Sequence, residues 1–484
     1  MIDIERNLTM LCDFYELTMA NGYLKCGYGD KYTYFDVFYR SNPDGGGYAI
    51  AAGLEQIINY INNLHFTERD IEFLRSKKIF DEDFLDYLKN FKFDGDMWAV
   101  PEGTVIFPNE PVITVRAKAP QAQFIETFIL MQFNHQSCIA TKASRMVRAA
   151  EGRPISEFGS RRAQGADGAI LGARAAYIGG VGATACTISD EYYHVPTTGT
   201  MAHSWVQMFP DEYTAFKTYC EIYPENVTLL VDTYNVLESG IPNAIKAFKE
   251  VLLPKGIKKC AIRLDSGDIT YLTTRARKML DDAGFDYCKI VVSNSLDEHI
   301  IRDIIRQGAC VDAFGIGERL ITAKSCPVFG GVYKLVAVEE EEGNITPKIK
   351  ISENPQKITT PHFKKLYRLY NNENGKAEAD LICVHDEEID DSKPIEIFDP
   401  HYTWKRKTLE NVTAVPLQQH IFDKGRQVYS VPDIEESRRL CASQLESMWK
   451  EVLRWENPHD YYVDLSESLW EIKDSLLRKL RNKS

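Results

Sequence analysis

Short apolar runs alternate with polar turns six times between Ile155 and Arg319. Each turn is rich in Gly, Asp, Ser or Arg, and where its flanks are readable it opens onto a stretch with helical periodicity. The six turns are EFGSRRAQG (157–165), TGTMAHS (198–204), VDTYN (231–235), RLDSGD (263–268), SNSLD (293–297) and GIGER (315–319). Strand–helix units that recur every ~25–35 residues are typical of parallel sheets with helical crossovers. We therefore expect a parallel α/β barrel, with functional groups at the C-terminal ends of its strands.

The segments on either side of this region predict different structure. Residues 1–120 combine helical patterns with alternating strand patterns, so we expect a mixed α/β domain there. Within it, residues 101–117 predict two short strands that form a small antiparallel element. The barrel domain is expected at 121–335 and begins with a long helix. Fewer than eight strand–helix units are visible, so a complete eightfold barrel does not follow from the pattern.

Residues 336–484 predict a C-terminal domain of hairpins followed by two helices. Asp433 and Glu436 have the spacing of a capping box at the start of the first helix. The second helix is expected at Leu465–Leu480, where an apolar stripe recurs. The acidic run at 339–342 is expected to be a solvated loop.

Composition excludes several classes of function. The chain has 484 residues and a formal net charge of −13, which disfavours nucleic-acid binding. No apolar stretch approaches the ~20 residues of a membrane span, and the N-terminus lacks a signal-peptide layout. The eleven cysteines show no CxxC motif and no framework of pairs, which is typical of free thiols in a reducing cytosol. We therefore expect a cytoplasmic protein that neither spans a membrane nor binds nucleic acid.

The glycine-containing turns and two arginines point to an anionic ligand. Glycines directly after a strand let backbone N–H groups face a phosphate, although a tight turn alone can also require them. Arg161 lies in such a turn, where an arginine suits bidentate recognition of carboxylate or phosphate. Arg263 lies inside an apolar strand, so it must either contact a ligand or form a structural ion pair.

Acidic groups and one histidine complete the candidate chemistry. Asp232 and Asp265 follow strands and could bind ribose hydroxyls or Mg²⁺, whereas Asp268 better fits a helix N-cap. His203 lies among small hydroxyl side chains, and an imidazole there could act as a general base or accept a phosphoryl group. Spacing alone does not decide between these two roles.

Together these motifs resemble the nicotinate phosphoribosyltransferase family. The resemblance runs in order from the N-terminus to about residue 335, with an extension at 359–368. It is carried by DFYELTMANGY (13–23), FYRSNPDGGGYAIAAGLE (38–55), EFGSRRAQGADG (157–168), TGTMAHS (198–204), LLVDTYN (229–235), RLDSGD (263–268), VVSNSLDE (291–298), GIGERL with GGVYKL, and TTPHFKKLYR. The resemblance implies the irregular α/β barrel of type II phosphoribosyltransferases, in a homodimer with active sites at the subunit boundary.

The resemblance also implies a reaction. Nicotinate and 5-phosphoribosyl 1-diphosphate would give nicotinate mononucleotide and pyrophosphate, as the first step of NAD salvage from nicotinate. ATP would be a co-substrate and Mg²⁺ a cofactor, whose direct ligands the sequence leaves unknown. In the family, ATP phosphorylates the histidine that matches His203.

The family's other site residues carry over by motif. His203, Arg263 and Asp265 are expected to be catalytic, with Arg263 contacting nicotinate. Substrate contacts are expected from Tyr15, Phe158, Arg161, Thr200, Asp232, Ser293, Asn294, Gly315, Gly317 and Glu318. Tyr15 would contact the pyridine ring from across the dimer, and Phe158 would stack on the ring's opposite face. Glu318 departs from the family pattern, since some members have Thr after GIG.

Several alternatives stay open from the sequence. A related enzyme that uses nicotinamide places a carboxylate in a turn corresponding to about 180–185, but GGVGATA (179–185) has none, which favours the acid. Nicotinamide or quinolinate phosphoribosyltransferases of the same fold remain rivals. A phosphosugar aldolase or isomerase on a common barrel is disfavoured in its Schiff-base form, because no lysine occupies the strand ends. A non-catalytic binding protein that kept the fold is the third alternative.

Overall fold

The parallel sheet predicted from the repeated turns is present in the computed structural model, which describes residues 6–341, 343–354 and 357–481. The chain divides into two units. Residues 139–327 form the central unit, while the described residues up to Cys138 and from Val328 onwards form the flanking unit.

The helices are α1 (Phe14–Lys25), α2 (Leu54–Asn62), α3 (Glu68–Ser76), α4 (Glu82–Lys89), α5 (Ala119–Phe124), α6 (Glu126–Ala149), α7 (Ala166–Ile178), α8 (Thr187–Tyr193), α9 (His203–Gln207), α10 (Glu212–Ile222), α11 (Ile241–Ala247), α12 (Ile269–Asp282), α13 (Glu298–Arg306), α14 (Glu318–Ile321), α15 (Ile434–Ser447) and α16 (Glu467–Arg481). Short π-helical turns cover Val236–Gly240 and Phe248–Leu252.

The strands are β1 (Tyr32–Phe38), β2 (Ala49–Ile50), β3 (Asp96–Ala99), β4 (Val105–Ile106), β5 (Ile113–Lys118), β6 (Ile155–Glu157), β7 (Ala183–Thr184), β8 (Val227–Leu230), β9 (Cys260–Leu264), β10 (Lys289–Asn294), β11 (Ala313–Ile316), β12 (Val332–Glu341), β13 (Asn344–Pro347), β14 (Lys364–Asn371), β15 (Ala377–Val384), β16 (Ile395–Phe398), β17 (Arg406–Leu409), β18 (Val412–Pro416), β19 (Gln419–Asp423), β20 (Arg426–Gln427) and β21 (Val463–Leu465).

The central unit contains a curled parallel sheet in the order β7-β6-β11-β10-β9-β8. All its adjacent strands pair in parallel. Leu229, Ile262 and Ile290 on neighbouring strands are fully buried in its apolar core, as expected for a sheet covered by helices. The expected parallel α/β architecture is therefore confirmed, in the form of a half-barrel whose edge strands are β7 and β8.

The register of this sheet brings the predicted turns to one edge. Ser293 lies opposite Gly315 on β11, and Val291 lies opposite Arg263 on β9. The helices that follow begin with capping aspartates. Asp268 accepts a hydrogen bond from Tyr271 N (2.9 Å), and Asp297 accepts one from Ile300 N (3.0 Å). Asp268 is thus an N-cap, as its position predicts.

The turn at 198–204 is the exception to the strand–turn pattern. It follows a single bridge in which Thr197 lies parallel to Thr184, rather than a regular strand. Thr184 N donates to Pro196 O, and Thr198 N donates to Thr184 O, each at 2.9 Å. Pro196 has no N–H group to contribute to a longer ladder.

The flanking unit combines strands from both ends of the chain. Its main sheet is antiparallel, in the order β13-β12-β1-β5-β3-β19-β20, and a second sheet has the order β18-β14-β15-β21. Because C-terminal strands β12 and β19 pair with N-terminal strands β1 and β3, the two terminal segments share one sheet. The division into domains at 1–120, 121–335 and 336–484 stays a prediction.

Both C-terminal hairpins and the capping box of Asp433 and Glu436 are present. Two local expectations were wrong. The strands β4 and β5 within 101–117 do not pair with each other, because β4 pairs with β2 and β5 with β1 and β3. Glu339 is not in a solvated loop but is buried in β12, where Arg116 Nη2 lies 2.9 Å from its carboxylate. Residue 342 lies outside the described residues.

No helix in the described part of the chain is both long enough and apolar enough to cross a membrane.

Candidate active site

Arg263 is the centre of a polar cluster in the central unit. Its Nε donates to Ser293 Oγ (2.7 Å), Nη1 donates to Thr200 Oγ1 (3.1 Å) and Nη2 donates to Asp265 Oδ1 (2.9 Å). Its side chain is 14% exposed, so the charge is largely removed from water and is satisfied by these partners. Four predicted site residues from separate parts of the sequence therefore meet at one point.

Asp265 is held as an anion. The Ser293 hydroxyl donates to its Oδ1 (2.5 Å), beside the guanidinium of Arg263. Burial acts to raise the pKa of Asp265, but the hydrogen bond from Ser293, the charge of Arg263 and the nearby His203 bring this pKa below its ordinary value. The carboxylate therefore stays ionised at neutral pH and holds Arg263 in a fixed orientation.

Phe158 places an aromatic face beside this cation. The guanidinium carbon of Arg263 lies 5.5 Å from the ring centroid, within the range of a cation–π contact. Glu157 fixes the turn that carries the ring, since it accepts hydrogen bonds from Gly159 N and from Thr184 Oγ1 (2.7 Å). Burial raises the pKa of Glu157, although both hydrogen bonds act in the opposite direction.

Gly315 and Gly317 leave room for this turn. A Cβ atom on Gly315 would lie 2.5 Å from Phe158 Cε2, and one on Gly317 would lie 3.1 Å from Phe158 O. Phe158 N also donates to Ile316 O (2.7 Å). The close approach of a ring and a backbone segment thus gives a physical reason for glycine at Gly315, in addition to the predicted role in phosphate binding.

His203 begins helix α9 and contacts the neighbouring turn. Its Nδ1 lies 3.1 Å from Thr233 Oγ1. His203 also lies close enough to Asp265 for its charge to lower the pKa of that carboxyl. The imidazole is partly exposed, so a ligand can reach it.

Asp232 joins the turns after β8 and β9. Its Oδ2 accepts hydrogen bonds from Asp265 N (2.9 Å) and Ser266 Oγ (2.7 Å). Its Oδ1 is buried and has no hydrogen-bond partner among the described residues. An unsatisfied buried carboxylate oxygen can accept from a ligand hydroxyl or coordinate a hard cation.

The other predicted residues of the central unit line the same sheet edge without joining the cluster. Arg161 is exposed in the turn after β6 and has no hydrogen-bond or ion-pair partner in the described part of the chain. The Asn294 side chain is exposed and accepts from Ser295 N (2.6 Å). Glu318 pairs with Lys324 Nζ (2.6 Å), and this hydrogen bond lowers the pKa of its carboxyl.

Tyr15 belongs to the flanking unit, on α1, and 43% of its surface is exposed. Burial of its hydroxyl, followed by the charge of Glu126 and a hydrogen bond to it, raises the pKa of Tyr15. The expected contact of Tyr15 with the pyridine ring stays a prediction.

Sequence reasoning missed three supporting residues: Thr233 beside His203, Glu157 beneath Phe158, and Ser266 on Asp232. Each lies inside a turn that the pattern had marked, so position in a turn was the available signal. Their partners are distant in sequence or belong to the backbone, and residue spacing does not encode such contacts.

Comparison with known proteins identifies the family of this chain. Residues 10–134 match the nicotinate phosphoribosyltransferase (NAPRTase) N-terminal domain, and residues 363–473 match the nicotinate phosphoribosyltransferase C-terminal domain. The chain is 42% identical over 477 residues to the nicotinate phosphoribosyltransferase of Bacillus subtilis strain 168, covering 99% of this chain and 96% of that protein. It is 34% identical over 465 residues to nicotinate phosphoribosyltransferase pncB2 of Mycobacterium tuberculosis strain H37Rv, covering 95% of this chain and 92% of that protein.

The fold is also that of a solved relative. The crystal structure of human nicotinic acid phosphoribosyltransferase matches with a TM-score of 0.83 and 27% sequence identity, over 96% of this chain and 100% of that one. The match to the Bacillus protein spans 99% of this chain, so it extends over the central unit as well as the flanking unit. The chain therefore belongs to the nicotinate phosphoribosyltransferase family.

Proposed function

We propose that this protein transfers the phosphoribosyl group of 5-phosphoribosyl 1-diphosphate to the ring nitrogen of nicotinate, with ATP as co-substrate and Mg²⁺ as cofactor. The products are nicotinate mononucleotide and pyrophosphate. The observation that carries this proposal is the position of Arg263, held by Ser293, Thr200 and Asp265 beside the ring of Phe158. A cation adjoining an aromatic face suits a flat aromatic acid.

Nicotinate needs little from the protein besides placement. Its carboxylate is anionic at neutral pH, and its ring nitrogen already has a free lone pair, so no base is required. Arg263 has five N–H groups, and its contacts leave an N–H of Nη2 for the substrate carboxylate. Phe158 provides a stacking surface for the ring. The site then acts mainly by positioning and by charge neutralisation.

Departure of pyrophosphate builds positive charge at the ribose anomeric carbon. The backbone N–H of Asp265 donates to the carboxylate of Asp232, and the carboxylates of both residues provide negative charge at the same sheet edge. Arg161, exposed in its turn, is suited to bind phosphate oxygens of the second substrate. Ser293, Asn294, Gly315 and Gly317 are the strand-end residues proposed to lie around the phosphates.

The donor set fits Mg²⁺. Asp232 provides a buried carboxylate oxygen that has no hydrogen-bond partner among the described residues, and Asp265 provides a second, ionised carboxylate. Hard oxygen ligands of this kind are those that Mg²⁺ prefers. When bound, the cation would neutralise negative charge on pyrophosphate. These residues would hold it either directly or through water.

The acid is favoured over the amide as substrate. No carboxylate is present in 179–185, the turn where the related nicotinamide-using enzyme places one, and Arg263 provides positive charge instead. Competition among nicotinate, nicotinamide and quinolinate under identical conditions separates the three possible substrates. We expect product from nicotinate to dominate.

Product analysis tests the proposed reaction as a whole. The purified chain is incubated with nicotinate, 5-phosphoribosyl 1-diphosphate and Mg²⁺, with and without ATP, and products are separated chromatographically. We expect nicotinate mononucleotide in both reactions, with more in the presence of ATP. No mononucleotide in either reaction would overturn the proposal. Chelation with EDTA should abolish product, and restoring Mg²⁺ should restore it.

His203 is proposed to couple ATP hydrolysis to transfer. Phosphorylation of this residue would shift the protein towards a state that binds its substrates better. The variant His203→Asn is therefore expected to retain slow transfer and to lose stimulation by ATP, measured as the ratio of rates with and without ATP. Unchanged stimulation in this variant would refute the coupling role.

A further inference from the structure

The turn after β11 carries a negative charge next to the glycines that are proposed to lie around phosphate. Glu318 directly follows Gly317 and begins helix α14. Lys324 Nζ donates to its Oε1 (2.6 Å). The hydrogen bond and charge of Lys324, followed by the charges of Arg162 and Arg319, lower the pKa of Glu318, so its carboxyl is ionised at neutral pH. The turn thus contains an anion that, taken alone, would repel a phosphate group.

Glu318 lies at the same sheet edge as the other site residues. Strand β11 lies between β6 and β10 in the parallel sheet, so the turn after β11 is flanked by the turns after those two strands. Arg162, in the turn after β6, lies close enough for its charge to act on the Glu318 carboxyl. On the other side, Ser293 of β10 lies opposite Gly315 of β11. The carboxylate is therefore close to the residues proposed to surround the phosphates.

The backbone of residues 318–324 folds back so that Lys324 reaches Glu318. Thr322 N (3.2 Å) and Thr322 Oγ1 (2.7 Å) both donate to Glu318 O. Lys324 N donates to Arg319 O (3.3 Å). Ala323 between them has a φ of 42°, in the left-handed region that a non-glycine residue rarely adopts. The pairing of Lys324 with Glu318 is thus set by a folded segment of backbone and not only by two mobile side chains.

The neighbouring arginines do not replace Lys324. Arg319 Nη1 pairs with Asp297 Oδ2, the carboxylate that caps α13. Arg162 is exposed and has no hydrogen-bond or ion-pair partner in the described part of the chain. Lys324 is therefore the cation in direct contact with Glu318 among the described residues.

We propose that Lys324 neutralises the Glu318 carboxylate, so that the turn after β11 can bind the phosphates of 5-phosphoribosyl 1-diphosphate. This inference rests on the proposed function, because it takes this turn to lie beside the substrate's phosphates. Charges several ångströms apart at a protein surface interact strongly enough to change binding several-fold. Nicotinate carries one negative charge and 5-phosphoribosyl 1-diphosphate carries several, so an unpaired carboxylate would weaken binding of the second substrate more. Lys324 is a positioning residue that acts through Glu318 and does not touch the substrate.

A double-mutant cycle tests the role of Lys324. Wild-type protein, Lys324→Met, Glu318→Gln and the variant with both substitutions are compared. Initial rates are measured with 5-phosphoribosyl 1-diphosphate varied at saturating nicotinate and Mg²⁺, at about 0.05 M and about 0.5 M NaCl. Methionine keeps an unbranched side chain and glutamine keeps the shape of glutamate, each without the charge. The side chains of Lys324 and Glu318 are 57% and 37% exposed, and ion pairs of this kind contribute little to folding stability, so all four proteins should fold.

For Lys324→Met we expect the KM for 5-phosphoribosyl 1-diphosphate to rise about three- to tenfold at the lower salt concentration, with kcat nearly unchanged. The rise should shrink at the higher salt concentration, because added ions screen exposed charges. Glu318→Gln should lower this KM below that of wild type. The double variant should match Glu318→Gln, since the loss of Lys324 then leaves no carboxylate unpaired.

Lys278→Met is the matched control. Lys278 lies on α12 in the same unit, and its Nζ pairs with Asp282 Oδ2 (2.7 Å), with both side chains exposed. This substitution also removes one positive charge and leaves one carboxylate unpaired, but away from the sheet edge. It should keep the wild-type KM for 5-phosphoribosyl 1-diphosphate at both salt concentrations, which separates a local effect from the change in net charge.

Three results would overturn the proposal. An unchanged KM in Lys324→Met at the lower salt concentration would show that the Glu318 carboxylate does not act on the phosphates. A double variant with a KM as high as that of Lys324→Met would show that Lys324 binds the substrate directly. A higher KM in Glu318→Gln would show that this carboxylate itself binds the substrate or its cation.

Failure of the proposed function is recognised by a separate measurement. 5-Phosphoribosyl 1-diphosphate with Mg²⁺ is titrated into each protein in a calorimeter without nicotinate, and the Kd values should follow the same order as the KM values. A wild-type protein that binds this compound but forms no mononucleotide would overturn the proposed reaction, while the order of the Kd values would still decide the role of Lys324. A wild-type protein that does not bind it would overturn both.

Discussion

Arg263 shows how one residue can be predicted while its surroundings cannot. An arginine within the apolar run of β9 must have polar partners, and this requirement was visible in the sequence. Its partners Thr200 and Ser293 lie 63 and 30 residues away, so only the folded sheet reveals that they meet it. The Ser293 hydroxyl was expected near phosphate, yet in the structure it donates to Asp265 and accepts from Arg263.

Replacing Arg263 by lysine tests whether the planar guanidinium group, and not the positive charge alone, is needed to bind nicotinate. Lysine retains the positive charge but cannot contact Ser293, Thr200 and Asp265 together, so it cannot be oriented in the same way. We expect Arg263→Lys to raise the KM for nicotinate by about 10- to 100-fold, since the charge-assisted hydrogen bond from Nη2 to the substrate carboxylate is no longer held in place. Initial rates with nicotinate varied at saturating 5-phosphoribosyl 1-diphosphate measure this.

Arg277→Lys is the control for Arg263→Lys. Arg277 lies in the same unit, on α12, and donates to the backbone carbonyls of Cys288 and Phe285, so its role is structural. It should affect stability more than the KM for nicotinate. An unchanged KM in Arg263→Lys would contradict the assignment of Arg263 to the substrate carboxylate.

At the scale of elements, the apolar–polar pattern predicted strands and helices well where the chain is regular. Strand β9 lies at the apolar run that leads into the turn RLDSGD, and α12 and α13 follow their turns as expected. The pattern failed where pairing is long-range. Nothing local in residues 101–117 indicates that β4 pairs with β2, and nothing near Glu339 indicates its ion pair with Arg116. Such pairings depend on residues far along the chain.

Gly315→Ala tests the packing of β11 against the turn after β6. The added Cβ would lie 2.5 Å from the ring of Phe158, so the ring must move away from its place beside Arg263. We expect a rise of about tenfold or more in the KM for nicotinate, because overpacking displaces groups by a few tenths of an ångström or more. Steady-state kinetics and a crystal structure of the variant would measure both effects.

Gly168→Ala is the matched control for Gly315→Ala. Gly168 lies on α7 in the same unit, and the nearest atom to an added Cβ is 3.8 Å away, an ordinary contact. Alanine also favours a helix over glycine. This variant should keep the wild-type KM for nicotinate. A Gly315→Ala variant with equally normal kinetics would show that Phe158 is not confined by this glycine.

Within the flanking unit, Glu16 on α1 accepts hydrogen bonds from Thr127 on α6, and its ionisation makes the stability of the fold depend on pH. Its Oε1 accepts from Thr127 N (2.9 Å) and Thr127 Oγ1 (2.6 Å), while its buried Oε2 has no hydrogen-bond partner among the described residues. Burial raises the pKa of Glu16 from 4.5 to about 8, against the effect of the two Thr127 bonds. The carboxyl is therefore expected to be protonated at neutral pH in the folded protein.

The raised pKa sets the sign of the expected effect. Between pH 4.5 and about 8 the unfolded chain loses this proton and the folded chain keeps it, so folding stability falls as pH rises through this window. Glu16→Gln keeps the acceptor for Thr127 and removes the ionisation. We expect it to be more stable than wild type at pH 8 by up to about 4 kcal/mol, with little difference at pH 4.5. Urea denaturation at both pH values measures this.

Glu68→Gln is the control for Glu16→Gln, because Glu68 is exposed in the first turn of α3. Its stability relative to wild type should not vary with pH in the same way. A Glu16→Gln variant whose advantage is equal at the two pH values would show that Glu16 is already ionised in the folded protein.

At the scale of the whole molecule, the sequence predicted a parallel barrel and flanking segments, and the structure contains the corresponding sheet in residues 139–327. That the terminal segments share a sheet was not predictable, because β1 and β12 are separated by the whole central unit. The polar cluster around Arg263 was likewise not predictable from the net charge of −13. Whole-chain composition excluded classes of function, whereas the site depended on the turns.

The expected homodimer leads to a prediction about Tyr15. The family resemblance implies that Tyr15 contacts the pyridine ring from across the subunit boundary. In the single chain, Tyr15 is 43% exposed. If each site combines Tyr15 from one subunit with Arg263 from the other, two inactive variants can complement each other. A hybrid of Tyr15→Ala and Arg263→Ala subunits would then contain one intact site and one doubly altered site.

Co-expression with two different affinity tags allows this hybrid to be purified. We expect it to show about half the activity of the wild-type dimer, because one of its two symmetry-related sites is complete. Homodimers of either variant, purified in parallel, should be nearly inactive. If Tyr15 serves the site of its own subunit, both sites of the hybrid carry one substitution and activity does not return. Failure of the two tags to co-purify would instead contradict the homodimer, since no hybrid can form from monomers.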